Sequence, residues 1–354
     1  MTKNTESINL FDRIYSSVFS VVILILLISF ISSSELSLST ISTDYRWRSN
    51  LIDMYTSLRL NIGDRVFNNA VIGEDGWVFY TGEKSIQDYQ NTDPLNKQRL
   101  AFLQTGLGNL HTDLEKRGIT LLIVIPPNKQ TVYSQYMPDE IPVLGQKSRL
   151  DQFIEHMNLN ENITIIDLRK ILVDASQARD IYFKTDTHWN DTGAYYGYVA
   201  VMNSLSSDYP NLTPHPLSDF GSKNAGETAR DLPVLMGLPN YKEENHILVP
   251  KFEVKLNETS EVMPDGVHYI RTVTNNDDSF PKLLVFSDSF YMSLAHFIEP
   301  HFSRVKNVPF SPNSQIWAFH WIEQENPNVV IIEFVERYLD VSLPALIRNS
   351  INSP

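Results

Sequence analysis

The sequence predicts an α/β fold: a parallel sheet flanked by helices, with an inserted β-rich segment and an N-terminal transmembrane helix. Short, nearly continuous apolar runs recur along the chain, helical stretches separate most of them, and one long uncharged run lies near the N-terminus. Strands that are buried on both faces lack alternation of apolar and polar residues, and alternating strands and helices are typical of parallel sheets. These observations place the chain in the α/β class.

The composition allows a large folded domain and excludes several kinds of site. Of the 354 residues, 42% are hydrophobic and 20% are charged, which is ordinary for a globular protein with a real core. The net charge of −13 and the lack of a basic run argue against nucleic acid as a partner, because phosphate binding needs clustered cations. With no cysteine, the sequence excludes disulfides, thiolate metal sites and cysteine nucleophiles.

The uncharged run Ile14–Ser34 has 21 residues, which is long enough to cross a bilayer as a helix. Lys3 and Arg13 precede the run and Glu35 follows it, so the positive-inside rule places residues 1–13 in the cytoplasm and the rest of the chain outside. We expect an uncleaved signal anchor at 14–34. A cleaved signal peptide is the alternative, because small residues stand at the end of the run.

The chain after the anchor is predicted to divide into a juxtamembrane helical segment at 35–70 and one domain at 71–345. Apolar side chains recur at helical spacing from Tyr45 to about Asn69, which predicts a helix there. The composition shows no internal repeat and no flexible linker after this point. We therefore expect a single folded domain to carry the function.

The domain opens with a predicted hairpin and a predicted helix. The stretch VIGEDGWVFY, Val71–Tyr80, has two β-rich arms around a turn in which Gly76 tolerates a positive φ. The stretch Asn96–Arg117 has the apolar spacing of an amphipathic helix and is followed by Gly118, a residue suited to the end of a helix.

Five apolar runs are predicted to form the sheet, and a β-rich insertion at Asp208–Val273 separates the first two from the rest. The insertion is rich in Pro, Asn and Gly and contains alternating segments such as KFEVKL. The five runs are Ile119–Pro127, Ile163–Leu168, Lys282–Ser289, the weaker Ser303–Phe310, and Asn328–Glu336.

Reactive side chains follow the predicted strands. In open α/β sheets, ligands bind at the carboxyl ends of the strands. The side chains that we expect at this edge are Lys129, Ser289, Glu336, Arg337 and, after the short segment Ile181–Phe183, Asp186 and His188. Their concentration at one edge predicts a site there, with Lys129 and Arg337 as substrate contacts at the edge of the cleft.

Three of these residues have the chemistry of nucleophilic catalysis. Ser289 lies where a buried strand gives way to a helix, so its hydroxyl can project from the sheet, and the N–H groups that open the helix can stabilise an oxyanion. Serine needs a base, and His188 can supply it. Residues two apart in an extended segment share a side, so Asp186 can hold the ring of His188.

Structural roles compete with these assignments. Taken alone, Ser289 could cap a helix, and Asp186 with His188 could form a turn before a helix capped by Asn190 or Asp191. Lys129 and Arg337 could be solvated charges. A metal site has little support, because a second histidine does not stand at ligand spacing from His188, and His296 with His301 is a weak pair.

Six stretches, taken in order, resemble the SGNH-hydrolase-like AlgX/AlgJ family of polysaccharide O-acetyltransferases. The resemblance spans roughly Ile62–Leu339, and DTHW and the Asp-Ser-Phe element are its most specific parts. It implies an SGNH-hydrolase-like, flavodoxin-like domain in which Ser289 is the nucleophile, His188 the base and Asp186 its orienting acid. The stretches are GEDGWVFY, PPNKQTVYSQYMP, YFKTDTHWNDTGAYYGY, ARDLPVLMGL, LLVFSDSF and VVIIEFVERYL.

The resemblance also implies a function. It implies transfer of acetyl groups to hydroxyls of an exported or cell-surface polysaccharide, through an acetyl-serine. It implies no bound cofactor and no metal, because a membrane-bound O-acyltransferase partner relays the acetyl group from cytosolic acetyl-CoA. With the predicted anchor, we expect a single-pass protein of the bacterial inner membrane whose catalytic domain lies in the periplasm.

Two other functions stay open at this stage. A carbohydrate acetylesterase would use the same three residues with water as the acceptor, and an inactive glycan-binding scaffold would use none of them. Two departures from the family pattern bear on the choice: Ser287 replaces the usual glycine before Asp-Ser-Phe, and Arg230 replaces the usual glycine before Asp-Leu. A side chain at Ser287 could crowd the turn or alter the oxyanion site.

Overall fold

The structure is a computed structural model that describes residues 17–22, 24–25, 45–160, 163–263, 266–275, 277–309 and 318–351. The chain divides into two compact units, Met1–Leu58 and Arg59–Pro354. Most of the predicted anchor at 14–34 lies outside the described residues, and the part that is described is helical. Among the described helices, none combines the length and the apolar character needed to cross a bilayer.

From Tyr45 onward, the described helices alternate with strands through most of the chain. They are α1 (Tyr45–Asn61), α2 (Ser85–Gln90), α3 (Lys97–Lys116), α4 (Lys129–Val132), α5 (Arg149–Asn160), α6 (Arg169–Ser176), α7 (Asp191–Leu205), α8 (Asp231–Met236), α9 (Tyr291–Ile298), α10 (Ala318–Glu325) and α11 (Ser342–Ile351). The described strands are β1 (Val66–Phe67), β2 (Ala70–Ile72), β3 (Val78–Tyr80), β4 (Thr120–Ile125), β5 (Thr164–Asp167), β6 (Phe220–Ala229), β7 (Lys242–Pro250), β8 (Leu256–Val262), β9 (Tyr269–Asn275), β10 (Lys282–Ser287), β11 (Arg304–Pro309) and β12 (Val329–Glu333).

The helix α1 ends at Asn61, earlier than the predicted end at about Asn69. Gly63 follows with φ +86, and its N–H bonds to the carbonyl of Leu60 at 3.0 Å. A glycine in the left-handed region is a common helix stop. The residues after this stop form β1 instead of a further helical turn.

The predicted hairpin is confirmed. β2 and β3 pair antiparallel around a turn in which Gly76 has φ +79, and β1 adds a third strand. The predicted helix after it is also confirmed as α3: the Asn96 side chain accepts the N–H of Arg99, and Gly118 follows the helix with φ +67. Local turn and cap chemistry decided both elements.

All five predicted runs form strands of one seven-stranded sheet in the order β5-β4-β12-β10-β11-β9-β8. The first five of these strands pair in parallel, whereas β9 pairs antiparallel with β11 and with β8. The expectation of a purely parallel sheet is therefore corrected to a mixed sheet. The two antiparallel strands come from the insertion and its end, where a hairpin connection enforces antiparallel pairing.

The strand order also differs from the flavodoxin-like order. Numbered along the chain, the five parallel strands lie in the order 2-1-5-3-4, whereas the flavodoxin-like order is 2-1-3-4-5. The last strand, β12, enters between β4 and β10, and all five of its residues are buried. An uninterrupted apolar strand is most stable at such a central position, covered on both faces.

Helices cover both faces of the sheet. Alternate residues of β4 face opposite sides: Leu122 and Val124 belong to one buried cluster with α7 and α9, whereas Leu121 and Ile123 belong to another with α3, α5 and α11. Because successive residues of a strand point to opposite faces, a strand with two apolar faces needs both layers. This arrangement leaves the edge of the sheet at the carboxyl ends of its strands as the place for a site.

The rest of the insertion forms a two-stranded ribbon, β6 with β7. The helix α8 precedes β7 and packs its Leu232 and Met236 with Phe67 and Ala70 of the small sheet. The insertion is thus part of the folded domain, as predicted, and it brings new side chains to the functional edge.

Candidate active site

A short loop presents Asp186 and His188 on the same side. An antiparallel bridge between Tyr182 and Trp189 closes this loop. The Oδ1 atom of Asp186 accepts the backbone N–H of His188 at 3.0 Å and lies 2.7 Å from Nδ1 of the His188 ring. Because a carboxylate can only accept, Nδ1 carries the ring proton, and Nε2 is left as an acceptor.

The ammonium of Lys129 holds the loop from below. Its Nζ donates to the carbonyl oxygens of Phe183, Lys184 and Asp186 at 3.2, 2.9 and 2.7 Å. The residue is 3% exposed, so these three bonds satisfy a buried cation.

Two carboxylates from the insertion hold the same loop from another side. Glu243 accepts the N–H groups of Lys184 and Thr185 at 2.9 and 3.0 Å. Asp231 accepts the N–H of Thr187 at 2.9 Å and also its hydroxyl. The backbone N–H groups of residues 184, 185 and 187 are therefore each held by a carboxylate of the insertion.

Ser289 lies in the turn between β10 and α9, as predicted from the end of the apolar run. Its hydroxyl is exposed, and its Oγ atom is 2.7 Å from Nε2 of His188. The residues are separated by 101 positions in the chain. The fold thus brings Ser289, His188 and Asp186 into one hydrogen-bonded row.

Buried carboxyl groups hold the turn that carries Ser289. Asp288 accepts the N–H groups of Phe290 and Val335 at 2.8 and 2.7 Å, and its own N–H donates to Glu333 at 3.3 Å. These bonds give Asp288 a structural role. Two acids on adjacent strand ends therefore fix the nucleophile's turn from inside the protein.

The charges of the site are arranged to keep Asp186 ionised. Burial opposes ionisation of Asp186, but the hydrogen bonds and charge of His188, with the nearby Lys129, hold its pKa below the usual value. Burial lowers the pKa of Lys129 to about 7, an effect that Asp231 and Asp186 partly offset. Burial, and then the charge of Asp186, raise the pKa of Asp231.

The first N–H group at the start of α9 does not serve the site as expected. The N–H of Phe290 bonds to Asp288 at 2.8 Å. This group is therefore not available for the predicted oxyanion role. The side chain of Asn307 instead lines the cavity beside Ser289.

Ser287, which replaces the family's usual glycine, does not crowd the turn. Its side chain is buried, and its Oγ accepts a hydrogen bond from Nδ2 of Asn307 at 2.6 Å. An amide nitrogen carries two hydrogens, so one remains available after this bond. The departure from the family pattern thus orients an amide next to the exposed serine.

Arg230, the second departure, packs its guanidinium 3.4 Å from the centre of the Phe183 ring. It also donates to the Asn245 side chain at 3.2 Å. A cation above an aromatic face is a favourable contact. Arg230 therefore joins the Asp231 segment to the loop that carries His188.

Lys129 and Arg337 do not lie at the edge of the cleft, where the sequence placed them. Lys129 is bonded beneath the loop, and Arg337 is 6% exposed. The Arg337 guanidinium bonds to Glu83 and Asn128 at 3.3 Å each. Both cations are buried and bonded to protein groups instead of standing at an open edge, and their role as substrate contacts stays a prediction.

Asp186, His188 and Asp231 also offer one ligand atom each within 4.8 Å of one another. In this structure Nδ1 of His188 is bonded to Asp186, and the Asp231 carboxylate is bonded to Thr187. The other pair considered for a metal is separately engaged: Nε2 of His296 lies 3.5 Å from Asp191 and that of His301 bonds to the Tyr198 hydroxyl at 2.8 Å.

A cavity of about 570 Å³ lies beside the exposed hydroxyl of Ser289. Residues of β8 and β9 line this cavity, as do Met292 and Tyr338. The reactive row is therefore open to a ligand on the Ser289 side, whereas its Asp186 end is covered.

Sequence reasoning missed the supporting residues Asp231, Glu243, Glu333 and Asn307. Only Asp231 lies in a stretch that the sequence analysis identifies, ARDLPVLMGL. That stretch resembles the family but indicates no role for Asp231. The other three act through long-range contacts, because their partners lie 20 to 59 residues away. Spacing along the chain cannot indicate such contacts.

The fold and the row of three side chains define a protein of the SGNH-hydrolase-like class. The chain belongs to the family described as "SGNH hydrolase-like domain, acetyltransferase AlgX", whose model matches residues 70–265. The match includes Asp186 and His188 but ends before Ser289, which the tertiary structure places beside them.

The relatives carry names that agree with this family. The chain is 21% identical over 296 residues to "Probable alginate O-acetylase AlgJ" of Pseudomonas aeruginosa, a match that covers 77% of this chain and 71% of the relative. It is 26% identical over 147 residues to the protein of the same name from Pseudomonas putida, covering 40% of this chain and 36% of that relative. The chain therefore matches only about a third of the second protein's length.

Solved structures show the same fold. Bacillus cereus PatB1 aligns with a TM-score of 0.59 at 16% identity, over 78% of this chain and all of that chain. The O-acetyltransferase domain of Pseudomonas putida AlgJ aligns with a TM-score of 0.52 at 19% identity, over 80% of this chain and 99% of that chain. At these identities, the similarity establishes the fold alone.

Proposed function

We propose that this chain is an O-acetyltransferase that acetylates hydroxyl groups of an exported or cell-surface polysaccharide. The observation that carries the proposal is the row of contacts from Ser289 Oγ to His188 Nε2 and from His188 Nδ1 to Asp186, each 2.7 Å long. Such a row can activate a serine hydroxyl. Membership of the acetyltransferase family supports acetyl as the group that is transferred.

The reaction would proceed through an acetyl-serine. Ser289 Oγ attacks the carbonyl carbon of the acetyl donor while its proton passes to Nε2 of His188, and that proton then leaves with the donor's leaving group. A sugar hydroxyl next gives its proton to Nε2 and attacks the acetyl-serine. The new sugar ester forms, and the proton returns to Ser289.

Two further features would assist these steps. Asp186 keeps the His188 ring oriented and stabilises the imidazolium that forms. The free hydrogen of the Asn307 amide is our candidate for stabilising the negative oxygen of the tetrahedral intermediate, since Asn307 lines the cavity at Ser289.

The cellular setting is part of the proposal. A membrane-bound O-acyltransferase partner would supply the acetyl group from cytosolic acetyl-CoA, so the chain itself would need no bound cofactor. The predicted anchor at 14–34 would hold the domain on the periplasmic side of the bacterial inner membrane.

Mass spectrometry tests the acetyl-serine directly. Full-length protein is incubated with 4-nitrophenyl acetate, quenched in acid and digested, and we expect one acetyl group on the peptide that carries Ser289. Ser289→Ala should remove the adduct, and His188→Ala should slow its formation by at least about 1,000-fold. Ser293→Ala, a serine in the same helix region, is the matched control and should keep the adduct.

The same assay separates the alternatives. A transferase passes the acetyl group to an added glycan, which is detected as acetylated oligosaccharide. Release of acetate alone with every glycan offered would assign an esterase. Lack of any acetyl-enzyme, with glycan binding retained, would assign a non-catalytic glycan-binding role.

A further inference from the structure

We infer that the cavity beside Ser289 binds an uncharged glycan as acceptor and discriminates against a polyuronate such as alginate. This inference rests on the proposed acetyltransferase activity and specifies its acceptor. It starts from the charges of the cavity wall, which β8 and β9 supply. The relatives' printed names refer to alginate, whose carboxylate on every sugar would need cationic partners in the site.

Arg271 is the only lysine or arginine among the described residues that line the cavity. Its guanidinium is already bound by two carboxylates. Its Nε lies 2.8 Å from Glu258, and its two terminal nitrogens lie 2.5 and 2.9 Å from the two oxygens of Glu299. A guanidinium that is held in this bidentate way by one acid and bonded by a second offers little attraction to a further carboxylate.

One acid of the wall, Glu258, is more exposed than the cation with which it pairs. The Glu258 side chain is 51% exposed, whereas the Arg271 side chain is 19% exposed. A uronate sugar that approached Arg271 would therefore come close to the more exposed carboxylate of Glu258, which is paired with it. Like charges at short range disfavour binding, and the acidic net charge of the chain, −13, adds to this effect at long range.

The cations nearest in sequence to the lining are also engaged. Lys306, one position before the lining residue Asn307, is 5% exposed and bonds to Glu261 and Glu325 at 3.0 and 3.4 Å. Among the described residues, the cations expected from sequence to contact substrate are the buried supports Lys129 and Arg337. A polyanion would have to break an existing ion pair to gain Arg271 or Lys306 as a partner.

The exposed surface of the cavity suits an uncharged sugar instead. Tyr269 and Met292 are large side chains with apolar surface. Both line the cavity, and each is 59% exposed. Ser260 and Tyr338 add hydroxyl groups to the lining. Aromatic and apolar faces with a few hydroxyl groups can pack against the C–H faces of a neutral sugar and hydrogen-bond to its hydroxyls.

A comparison of two matched acceptors in separate reactions tests the inference. Full-length protein receives 4-nitrophenyl acetate and either a neutral glucose hexasaccharide or a mannuronate hexasaccharide, at low salt. We expect kcat/KM for acetyl transfer to be at least about tenfold higher with the neutral acceptor, with a smaller ratio when salt is added. Equal or faster transfer to the mannuronate acceptor would overturn the inference.

The acetyl-enzyme, measured in the same reactions, separates this inference from the proposed function. If Ser289 is never acetylated, or if acetate is the only product with both acceptors, the proposed function itself fails and takes the inference with it. If Ser289 is acetylated and the mannuronate acceptor receives the group preferentially, the proposed function stands and only the inference fails.

One substitution tests the charge argument specifically. Glu258→Gln removes the exposed carboxylate of the wall and leaves the Arg271–Glu299 pair in place, so we expect the neutral-to-uronate ratio to fall at least about threefold. Glu253→Gln is the matched control, since Glu253 is an exposed glutamate outside this cavity, and it should leave the ratio unchanged. Because the neutral acceptor reports on folding, an unchanged ratio in Glu258→Gln would overturn the inference.

Discussion

The two segments that carry the reactive row are held by buried groups of opposite charge type. The loop with Asp186 and His188 rests on the ammonium of Lys129, which donates to three backbone carbonyls. The turn with Ser289 rests on the carboxyl groups of Asp288 and Glu333, which accept backbone N–H groups. The buried support of the loop is thus a donor and the buried supports of the turn are acceptors, while the less buried Glu243 and Asp231 accept N–H groups of the loop on its other side.

The backbone of each segment explains the difference. On its most buried side the loop presents three carbonyl oxygens, whereas the turn presents N–H groups. The N–H groups of the loop point to its other side, toward Glu243 and Asp231. Buried backbone groups need partners, and a charged partner at a buried site needs several hydrogen bonds. Each segment therefore selects the side chain of opposite polarity, and the position of Ser289 relative to His188 depends on both supports.

The largest effect is expected from removing the acceptor beneath the turn. Asp288→Ala leaves the buried N–H groups of Phe290 and Val335 without their carboxylate, so we expect the free energy of unfolding to fall by about 3 kcal/mol. Displacement of Ser289 should slow acetyl-enzyme formation by at least about 100-fold. Urea unfolding and stopped-flow release of 4-nitrophenol measure the two effects.

The exposed Asp278 provides a control for that change. Asp278→Ala should leave both the unfolding free energy and the acetylation rate as in the wild type. If Asp288→Ala changed the unfolding free energy by less than about 0.5 kcal/mol, the carboxylate would not be the support of the turn.

Removing the donor beneath the loop should affect activity more than stability. Lys129→Met withdraws three hydrogen bonds but also a buried charge, and these contributions to the free energy of unfolding oppose each other. We expect kcat to fall by about 10- to 100-fold, because His188 loses its alignment. Lys184→Met, in the same loop but with an exposed ammonium bond to Asp75, should lower kcat less than about threefold.

Steady-state kinetics of that variant also tests the sequence expectation. A buried support should change kcat, whereas a substrate contact should raise KM and leave kcat nearly constant. A change confined to KM would restore Lys129 as a substrate contact and contradict its role beneath the loop.

The depressed pKa of Lys129 predicts how stability depends on pH. Burial lowers its pKa to about 7 in the folded protein, whereas an unfolded lysine titrates near about 10.4. Between these values the unfolded chain binds more protons than the folded chain, so Lys129 makes stability rise with pH, by at most about 1.4 kcal/mol per pH unit. The burial of Lys129 therefore lowers the free energy of unfolding most below pH 7. This unfavourable contribution disappears once the pH exceeds the pKa of the unfolded lysine.

Urea midpoints measured at several pH values for the wild type and for Lys129→Met check this sign. Between about pH 7 and pH 10, the free energy of unfolding of the wild type should rise with pH relative to that of Lys129→Met, because only the wild type has this lysine. If the two plots of unfolding free energy against pH were parallel, Lys129 would have the same pKa in the folded and the unfolded protein.

The smallest effect is expected at the second acid of the turn. Burial, and then the charge of Asp288, raise the pKa of Glu333 well above its usual value, which favours the uncharged form of its carboxyl group. Glu333→Gln keeps the shape of the side chain and fixes it in an uncharged form, so we expect the free energy of unfolding to change by less than about 1 kcal/mol. A loss as large as that of Asp288→Ala would show that Glu333 carries the charge of the pair.

The sequence predicted which three side chains meet at the edge of the sheet but missed most of the groups that support them. Ser289, Asp186 and His188 could be chosen because a strand end and a two-residue spacing are local features, and the structure brings the three together. Their catalytic roles stay predictions. Lys129 was also selected, but its position under the loop depends on how the segment after β4 packs, which periodicity does not determine.

The sequence by itself determined the local elements: the hairpin around Gly76, the helix from Asn96 to Gly118 and the five apolar strands. Turn chemistry, caps and continuous apolar runs act over a few residues, so they can be read from neighbouring letters. Only the tertiary structure decided the central place of β12, the antiparallel strands of the insertion and the ion pairs that occupy Arg271. Those features depend on contacts between residues far apart in the chain, where packing and the need to pair buried charges select the partner.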